Sequence, residues 1–291
     1  MTDVYTLGEA LGVVSSGRVR HESEARLDVC GPEFTTAIGL ARLGHSISYL
    51  GKVGEDELGT RIVTVLRGEG VDVSDVRMDP SASTGLVLRE SRLGRPARAV
   101  HYRTDSAGSR LAPGNVPIDR IAASRLLHVS GVTVALGWDA RDAVETAIGA
   151  ARTAGVPVSV SVDYVSSLWG SVREAEEMLG ELACSSQVLF VGQDELDLVK
   201  PALLPEREVI VTRGAKGASV RSEGVRYDAP AFSVPVVDPF GAREAFVAGY
   251  LSALLEGLTP GERLSRGAYV AGLAVTSPSD WQALPSRTDL P

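Results

Sequence analysis

The sequence predicts an α/β fold in which a doubly wound, mostly parallel β-sheet carries helices on both faces. Short apolar runs alternate along the chain with segments of helical periodicity, as where "FTTAIGLARLG" (34–44) is followed by "ISYLGKVG" (47–54). The runs are continuous rather than interrupted by polar residues, which is typical of parallel strands buried on both faces. The chain has 291 residues, 44% of them hydrophobic, and is long enough to bury a large core. The length alone allows one large α/β domain or one domain with a smaller appendage. We expect residues 1–291 to form a single α/β domain.

The same strand and helix order continues through the second half of the chain. The predicted strands there are "LLHVSGV" (126–132), "PVSVSVDY" (157–164), "VLFVG" (188–192) and "EVIVTRG" (208–214). The segment "ARDAVETAIGAARTAG" (140–155) lies between the first two and has helical periodicity. Because helices that connect parallel strands lie on the faces of the sheet, this order predicts a doubly wound architecture.

Two segments depart from this order and predict a small β-sheet lid. Residues 12–30 and 84–103 alternate polar and apolar side chains, which favours strands over helices. Since each segment leaves the α/β core and returns to it, we expect the lid to be assembled from two separate excursions of the chain. Such a sheet would cover a binding site or form a dimer contact.

The net charge and the cysteine content narrow the class of partner. The formal net charge is −8 and no run of Lys or Arg occurs, so binding to a nucleic acid or to an anionic membrane is not expected. The two cysteines, Cys30 and Cys184, form neither a disulfide framework nor a metal-ligand spacing. No stretch of about 18 apolar residues occurs. These features predict a cytoplasmic protein whose partner is a small molecule.

The segment "DPFGAREAFVAGYLSALLEG" (238–257) is a candidate catalytic segment in which a loop runs directly into a helix. Apolar residues at helical spacing place the helix start near Ala242, and Gly257 is a typical C-terminal stop. The free N–H groups and positive dipole of a helix N-terminus bind phosphate, and Gly241 lets the backbone approach closely. Glu244 would accept a proton from an attacking hydroxyl. A second interpretation is an ordinary helix start, in which Glu244 only complements the helix dipole.

Three motifs occur in an order that is specific as a set. Residues 30–59 match a Gly-Gly-x-x-x-Asn and Gly-x-Val-Gly-x-Asp-x-x-Gly pattern at Gly31, Gly39, Gly44, Gly51, Gly54, Asp56 and Gly59. A strand and turn, "VIVTRGAKGASV", matches at Thr212, Gly214 and Gly217. The pattern Asp-Thr-x-Gly-Ala-Gly-Asp-x-Phe is matched at Asp238, Gly241, Ala242, Ala245 and Phe246. This set resembles the motifs of the ribokinase or PfkB family of carbohydrate kinases.

The resemblance implies a ribokinase-like fold and an enzyme that uses ATP and Mg²⁺ to phosphorylate a hydroxyl of a sugar or sugar acid. It places the catalytic residues in the last motif, at Gly241, Ala242, Arg243 and Glu244. It assigns the substrate to Gly31, Thr35, Tyr102, Arg103 and Asp238, and the nucleotide to Thr212, Gly214, Gly217 and Glu195. Glu195 would also act on Mg²⁺ through water. Many members pair through their lids, so the resemblance implies a homodimer.

Within this family, the chain is most similar in appearance to 2-keto-3-deoxygluconate kinases. The similarity lies in "VHYRTDSAGSRL" (100–111), "LLHVSGVTVAL" (126–136) and the "LW" at 168–169. It implies that Tyr102 and Arg103 reach from the lid to the carboxylate of a sugar acid, which a guanidinium group binds in bidentate fashion. A second interpretation is an exposed lid strand in which Tyr102 packs and Arg103 is solvated.

The chain departs from the family pattern at several expected site positions. The Gly-Asp pair of the last motif reads Arg243-Glu244, which keeps a carboxylate but moves it by about one methylene group. The sugar-binding Asn reads Thr35, and the first Gly of the Gly-Gly pair reads Cys30. An Asn-x-x-Glu motif keeps only Glu195.

A further element, Asp-x-Asn-x-Arg, reads Ser161, Asp163 and Val165. Two hypotheses follow from the combination of matching motifs with altered residues at the expected site. The first is a carbohydrate kinase whose substrate or activity has shifted. The alternative is a catalytically impaired relative that binds a sugar or a nucleotide and acts as a regulatory protein.

Overall fold

The computed structural model describes residues 2–92, 95–204 and 207–291. Its strands, numbered in chain order, are β1 (Val4–Leu7), β2 (Leu11–Ser16), β3 (Arg26–Cys30), β4 (Ile47–Leu50), β5 (Lys52–Gly54), β6 (Arg77–Asp79), β7 (Leu86–Arg92), β8 (Arg95–Tyr102), β9 (Leu126–Ser130), β10 (Val158–Ser161), β11 (Val188–Gly192), β12 (Glu208–Thr212), β13 (Ala218–Ser222) and β14 (Val225–Ala229). Its α-helices are α1 (Pro32–Arg42), α2 (Glu57–Gly68), α3 (Ile118–Ala122), α4 (Gly131–Val134), α5 (Trp138–Ala154), α6 (Val172–Cys184), α7 (Ala242–Leu255) and α8 (Pro260–Ala274).

The main sheet contains eight strands in the order β14-β13-β12-β11-β10-β9-β1-β4. The strands from β12 to β4 in this order run parallel, whereas β13 and β14 are antiparallel additions at one edge. Because β1 lies between β4 and β9, the order of the strands reverses at β1. In open α/β sheets, ligands bind outside the carboxyl ends of the strands near such a reversal. The predicted mostly parallel sheet is confirmed.

Helices cover both faces of the main sheet. On β9, Leu126 packs into the core beneath α1, α7 and α8, whereas its neighbour Leu127 packs into the core beneath α5 and α6. Adjacent strand residues point to opposite faces, so both faces of this strand are buried in apolar cores. On β11, Phe190 packs into the first of these cores and its neighbour Leu189 packs into the second. The predicted doubly wound arrangement is therefore confirmed, and it explains why these strands read as continuous apolar runs.

A second sheet of four strands, in the order β3-β2-β7-β8, forms the lid. The two predicted excursions supply two strands each, and β2 joins them by pairing with β7 in parallel. Residues 93–94, between β7 and β8, lie outside the described residues. One face of the lid is buried through Leu11, Val13, Cys30 and Val87.

Helices α1 and α7 pack closely, and this contact brings their N-termini together. A Cβ atom added at Gly39 in α1 would lie 2.7 Å from the Cβ of Ala248 in α7, so the glycine permits the approach. Both helices begin near the carboxyl ends of the parallel strands. None of the helices in the described part of the chain is both long and apolar enough to span a bilayer.

Candidate active site

Several acidic residues lie at the carboxyl ends of the parallel strands. Glu9 follows β1, Asp163 follows β10, and Glu195 follows β11. The helix α7 begins beside them at Ala242, the residue predicted from the sequence. Several acidic side chains that are far apart in the sequence therefore meet at one edge of the sheet.

The loop before α7 has the geometry that its glycine predicts. Gly241 has φ 81°, and a Cβ atom there would lie 2.5 Å from the carbonyl oxygen of Asp280, so a larger residue would be strained and would collide. Asp238 accepts a hydrogen bond of 3.0 Å from the backbone N–H of Phe240 and so stabilises the loop. The first N–H groups of the helix are left without intrahelical acceptors, as at any helix start. This end of α7 is suited to bind an anion.

Arg243 lies in the first turn of α7 and binds two carboxylates. Its Nη1 atom is 2.9 Å from Asp163 Oδ1 and 2.7 Å from Glu195 Oε1. Burial lowers the pKa of Arg243, but the two carboxylates outweigh burial and raise it above its ordinary value. The guanidinium group is therefore a permanent cation that cancels acidic charge at the end of the sheet.

Both carboxylate partners of Arg243 are fixed by other contacts. Glu195 accepts hydrogen bonds from the backbone N–H of Gly192 at 2.7 Å and of Tyr164 at 3.0 Å. Asp163 has φ 44° and accepts a hydrogen bond of 2.8 Å from Ser161 Oγ. Sequence reasoning singled out Glu195 but gave Asp163 no role. Its signal was weak, because Asp163 stands where the family element has Asn.

Glu244 differs from these acids because its charge is not compensated by a direct contact. It is partly buried in the first turn of α7, and within the described residues no other residue donates a hydrogen bond to its carboxylate. Burial raises the pKa of Glu244 to about 8, and the nearby carboxylates of Asp163 and Asp280 add to the rise. A carboxyl group with this pKa exchanges a proton near neutral pH, which is the property of a general base or acid.

A second acid, Glu33 in the first turn of α1, was missed by the sequence reasoning. It is fully buried, and its Oε1 accepts hydrogen bonds from Ser130 Oγ at 2.6 Å and Thr133 Oγ1 at 2.7 Å. Its Oε2 is buried without a hydrogen-bond partner. Burial raises the pKa of Glu33 to about 7. An acidic residue in a first helical turn is common, so the sequence contained no signal for this environment.

The N-terminus of α1 supplies two residues that were predicted to bind substrate. Gly31 has φ 150°, and a Cβ atom there would lie 2.6 Å from the carbonyl oxygen of Glu9, so the turn requires glycine. Thr35 is buried, and its Oγ1 has no hydrogen-bond partner. Buried hydroxyl groups are usually bonded, so Thr35 retains an unused capacity for a hydrogen bond.

The inner face of the lid contributes a buried ion pair. Arg89 on β7 pairs with Asp280 through its two terminal nitrogens, Nη1 and Nη2, with Nη2 at 2.8 Å from Oδ2. The same guanidinium group stacks 4.2 Å above the ring of Phe240, in the loop before α7. Neither Arg89 nor Asp280 was predicted as a site residue, and the pair connects the lid to the loop before α7.

Arg103, just after β8, is also paired. Its Nε lies 2.7 Å from Glu9 Oε2, and Ser106 Oγ donates a hydrogen bond to the other oxygen of Glu9. Both Arg103 and Glu9 are buried. The structure therefore brings Arg103 to the edge of the main sheet, but with its charge already matched by a carboxylate.

Tyr102 does not join the other predicted substrate residues. It pairs with Leu86 across the strands, whereas His101 pairs with Val87, which is buried on the inner face. Side chains alternate between the faces of a sheet, so Tyr102 lies on the outer face, where it is 60% exposed.

The residues predicted to bind the nucleotide lie at the end of β12. Thr212 ends that strand, and a short turn follows at Gly214–Lys216. Gly217 has φ 83°, and a Cβ atom there would lie 2.1 Å from the carbonyl oxygen of Ala229, so this turn requires glycine. The turn places its backbone at the same sheet edge as Glu195, because β11 and β12 are paired in parallel.

A magnesium ion would not be held by these side chains alone. No group of three or more His, Cys, Asp or Glu side chains suited to hold a metal ion occurs among residues 2–92, 95–204 and 207–291. Mg²⁺ often binds through one or two carboxylates, water and substrate phosphates. The Oε2 atom of Glu195 accepts one hydrogen bond, from Gly192, and retains capacity for a water molecule. The residues therefore fit an ion that arrives with a nucleotide.

The chain is similar to known proteins over its whole length. A family model described as pfkB family carbohydrate kinase matches residues 1–287. The 2-dehydro-3-deoxygluconokinase of Thermoproteus tenax is 33% identical over 304 aligned residues, which cover 98% of this chain and 92% of that protein.

Solved structures share the same architecture. A PfkB protein from Polaromonas sp. JS666 superposes with a TM-score of 0.88 at 27% identity, and the match covers 99% of both chains. A putative ribokinase II from E. coli, in complex with ATP and Mg²⁺, superposes with a TM-score of 0.90 at 20% identity and covers 99% of this chain and 97% of that one.

Proposed function

The chain belongs to the pfkB family of carbohydrate kinases, and we propose that it transfers the γ-phosphoryl group of ATP to a sugar hydroxyl at the N-terminus of α7. The observation that carries this mechanism is the position of Glu244, a carboxyl group in the first turn of that helix to which no other described residue donates a hydrogen bond. Burial raises its pKa, which favours exchange of a proton near neutral pH. A base of this kind has to lie beside the phosphate site, and a helix N-terminus is such a site.

The proposed reaction is one in-line displacement. Glu244 accepts the proton of the sugar hydroxyl, and the hydroxyl oxygen forms a bond to the γ-phosphorus while the bond to the bridging oxygen of ADP breaks. Mg²⁺ bound with ATP neutralises charge on the phosphates. The backbone N–H groups of Ala242 and Arg243 then stabilise the oxygens of the transferring group, and Gly241 lets the phosphate approach them.

Arg243 is proposed to contact the same phosphoryl group. Its Nη1 makes both ion pairs, so Nε and Nη2 keep donors for phosphate oxygens. Nη2 lies beside Gly192, where an added Cβ atom would be only 2.9 Å away, so the glycine leaves room for the guanidinium group. Arg243 thus replaces the glycine of the family pattern with a cation that its partners hold in place.

The remaining predicted residues are assigned to the two substrates. We propose that Thr212, Gly214 and Gly217 contact the nucleotide and that Glu195 acts on its Mg²⁺ through water. For the sugar, we propose Gly31, Thr35, Arg103 and Asp238. Support comes from the unbonded Oγ1 of Thr35 and from the position of these residues at one edge of the main sheet. The cytoplasmic location is proposed because ATP is the phosphoryl donor.

The outer face of the lid supports the proposal of a homodimer. Six partly or largely exposed apolar side chains lie on this face: Val14, Leu27, Leu86, Leu88, Val100 and Tyr102. A contiguous exposed apolar face is typical of a protein contact. Tyr102 would then act at the contact between two lids. Light scattering of the protein and of Leu27→Glu tests this, with a dimer expected for the first and a monomer for the second.

The kinase assignment is tested by ADP release and thermal shift on one panel of sugars and sugar acids. We expect MgATP to raise Tm, since a ligand that binds the folded state stabilises it, and at least one acceptor to release ADP. Nucleotide binding without transfer to any acceptor would instead favour a regulatory protein. The comparisons give that alternative no support, because the named relatives are kinases.

A further inference from the structure

We propose that Arg89 is a further acceptor-binding residue, whose Nε donates a hydrogen bond to an oxygen of the sugar or sugar acid. The inference rests on the proposed function and adds a residue of the lid to the sugar side of the same site. It is carried by the position of this side chain and by a buried N–H group that has no hydrogen-bond partner among the described residues.

Arg89 lies on the inner face of the lid. On β7 it follows Val87 by two positions, and residues two apart in a strand share a face. Val87 is buried in the apolar cluster beneath the lid, and Ala99, the cross-strand neighbour of Arg89, packs against the same cluster. The side chain of Arg89 is only 10% exposed. The lid therefore carries a buried guanidinium group on its covered face.

The contacts of Arg89 place this guanidinium group at the N-terminus of α7. The group binds Asp280 through Nη1 and Nη2, and it lies 4.2 Å from the centre of the Phe240 ring. A Cβ atom added at Gly241, the residue before α7, would lie 2.9 Å from the Cβ of Asp280. The side chain that binds Arg89 therefore begins directly beside the helix start. Under the proposed function, the reacting hydroxyl of the acceptor has to meet the phosphate at this helix start, beneath the lid.

The same contacts fix the guanidinium group and leave one donor unused. A bidentate pair with a carboxylate and a stack on an aromatic ring both restrict the orientation of an arginine. Asp280 accepts hydrogen bonds from the two terminal nitrogens, whereas Nε is buried and donates to no described residue. Buried polar groups are nearly always bonded, so an unbonded donor needs an explanation. A ligand oxygen between the lid and α7 provides one.

The chemistry of this donor fits the acceptor better than the nucleotide. Asp280 matches the charge of Arg89, so the pair offers a hydrogen bond rather than an unmatched charge for a polyphosphate. A sugar or sugar acid presents hydroxyl, keto or carboxylate oxygens, and each of these accepts a hydrogen bond from an N–H group. An acceptor without an oxygen at this place would leave Nε unbonded. Arg89 would therefore select for acceptors that carry the oxygen.

Two substitutions separate the Nε donor from the ion pair. In Arg89→Lys, a methylene group takes the place of Nε, and the ammonium group keeps a positive charge near Asp280. In Arg89→Gln, the amide nitrogen takes the place of Nε, and the charge that pairs with Asp280 is lost. The first variant keeps the charge without the donor, whereas the second keeps the donor without the charge.

The measurement is ADP release with whichever of 2-keto-3-deoxygluconate, fructose and ribose the wild type uses best. We expect Arg89→Lys to raise the KM of the acceptor about ten- to a hundred-fold, as for the loss of a hydrogen bond from a charged donor, and to leave the KM of MgATP within about two-fold. Arg89→Gln should raise the KM of the acceptor by less than about three-fold, because it keeps the donor. Its midpoint in urea should nevertheless fall, because Asp280 is left buried without a partner.

The opposite order of the two variants would overturn the inference. If Arg89 only connected the lid to the loop before α7, Arg89→Lys would retain acceptor binding and Arg89→Gln would lose it. Equal effects of the two variants would also overturn the inference. If one variant does not fold, the other decides alone, through an unchanged acceptor KM in Arg89→Lys or a raised one in Arg89→Gln. Arg18, an exposed arginine between β2 and β3, is the matched control, and the same two substitutions there should leave both KM values unchanged.

Failure of the kinase assignment gives a different result. A wild type that releases no ADP with any acceptor overturns the kinase and this inference together, whereas turnover by the wild type with an unaffected Arg89→Lys variant overturns this inference alone.

A pair of acceptors then identifies the oxygen that Nε binds. In 3-deoxyfructose, a hydroxymethyl group replaces the carboxylate of 2-keto-3-deoxygluconate. A defect of Arg89→Lys with the acid alone assigns Nε to the carboxylate, and a defect with both compounds assigns it to another oxygen of the sugar. Either result supports the inference, and a normal KM for both compounds would contradict it.

Discussion

Two regions of the site contain ion pairs between arginine and carboxylate groups, but these pairs differ in their exposure to solvent. Beside the lid, the side chains of Arg103 and Glu9 are 9% and 0% exposed, so their pair is closed to solvent. At the N-terminus of α7, the side chain of Arg243 is 31% exposed although its partners Asp163 and Glu195 are buried. A closed pair cancels charge and fixes the chain, whereas an open guanidinium group keeps donors for a ligand. The difference in exposure therefore predicts that the Arg103 pair contributes mainly to stability and that the Arg243 pair contributes mainly to phosphoryl transfer.

The largest effect on kcat should come from Glu244, the unpaired acid at the N-terminus of α7. Glu244→Gln removes the proposed base, so kcat should fall by about 10² to 10⁴-fold while the thermal shift by MgATP remains. Glu57→Gln, an exposed acid in the first turn of α2, is the matched control and should leave kcat unchanged. An unchanged kcat in Glu244→Gln would remove this residue from the mechanism.

The closed pair should dominate stability. Glu9→Ala leaves Arg103 buried without its partner, so the free energy of unfolding should fall by about 3–5 kcal/mol in a urea titration. Glu177→Ala, which breaks an exposed pair with Arg173, should cost less than about 1 kcal/mol. Equal effects of the two substitutions would contradict the distinction between closed and open pairs.

The open pair should affect catalysis as well as folding, because its two carboxylates are buried. Arg243→Ala removes a charged hydrogen bond to phosphate, worth about 1.5–3 kcal/mol, so kcat/KM for MgATP should fall by roughly ten- to a hundred-fold. The control is Arg141→Ala, since Arg141 also joins two carboxylates, Glu145 and Glu181, but at an exposed helix surface. A gain in nucleotide affinity for Arg243→Ala would instead mean that this side chain obstructs the phosphate.

The fold could be predicted from the sequence because its signals are local. Continuous apolar runs predicted the buried parallel strands, and the loop with Gly241 predicted the start of α7 at Ala242. The alternating residues of the two lid excursions predicted a small β-sheet, which the structure shows to have four strands. In each case, the pattern and its cause lie within about ten residues of one another.

The contacts of the site were less accessible to prediction because they join distant segments. Arg243 meets Asp163 across 80 positions and Glu195 across 48, and no local pattern encodes these distances. Tyr102 illustrates a different limit. Alternation in a strand predicts that neighbouring residues face opposite sides, but only the paired strands determine which side is buried.

The pH dependence of kcat/KM tests the central role of Glu244 most directly. Its carboxyl group has a pKa of about 8 in the folded protein, above the ordinary value of 4.5, so the proton-accepting form increases as the pH rises through 8. We expect kcat/KM to rise from pH 6.5, to reach half of its maximum near pH 8 and to level off above about pH 9 in the wild type, and the rise to be absent in Glu244→Gln. A flat wild-type profile between about pH 6.5 and 9, or the same rise in the variant, would contradict the assignment of Glu244 as the base.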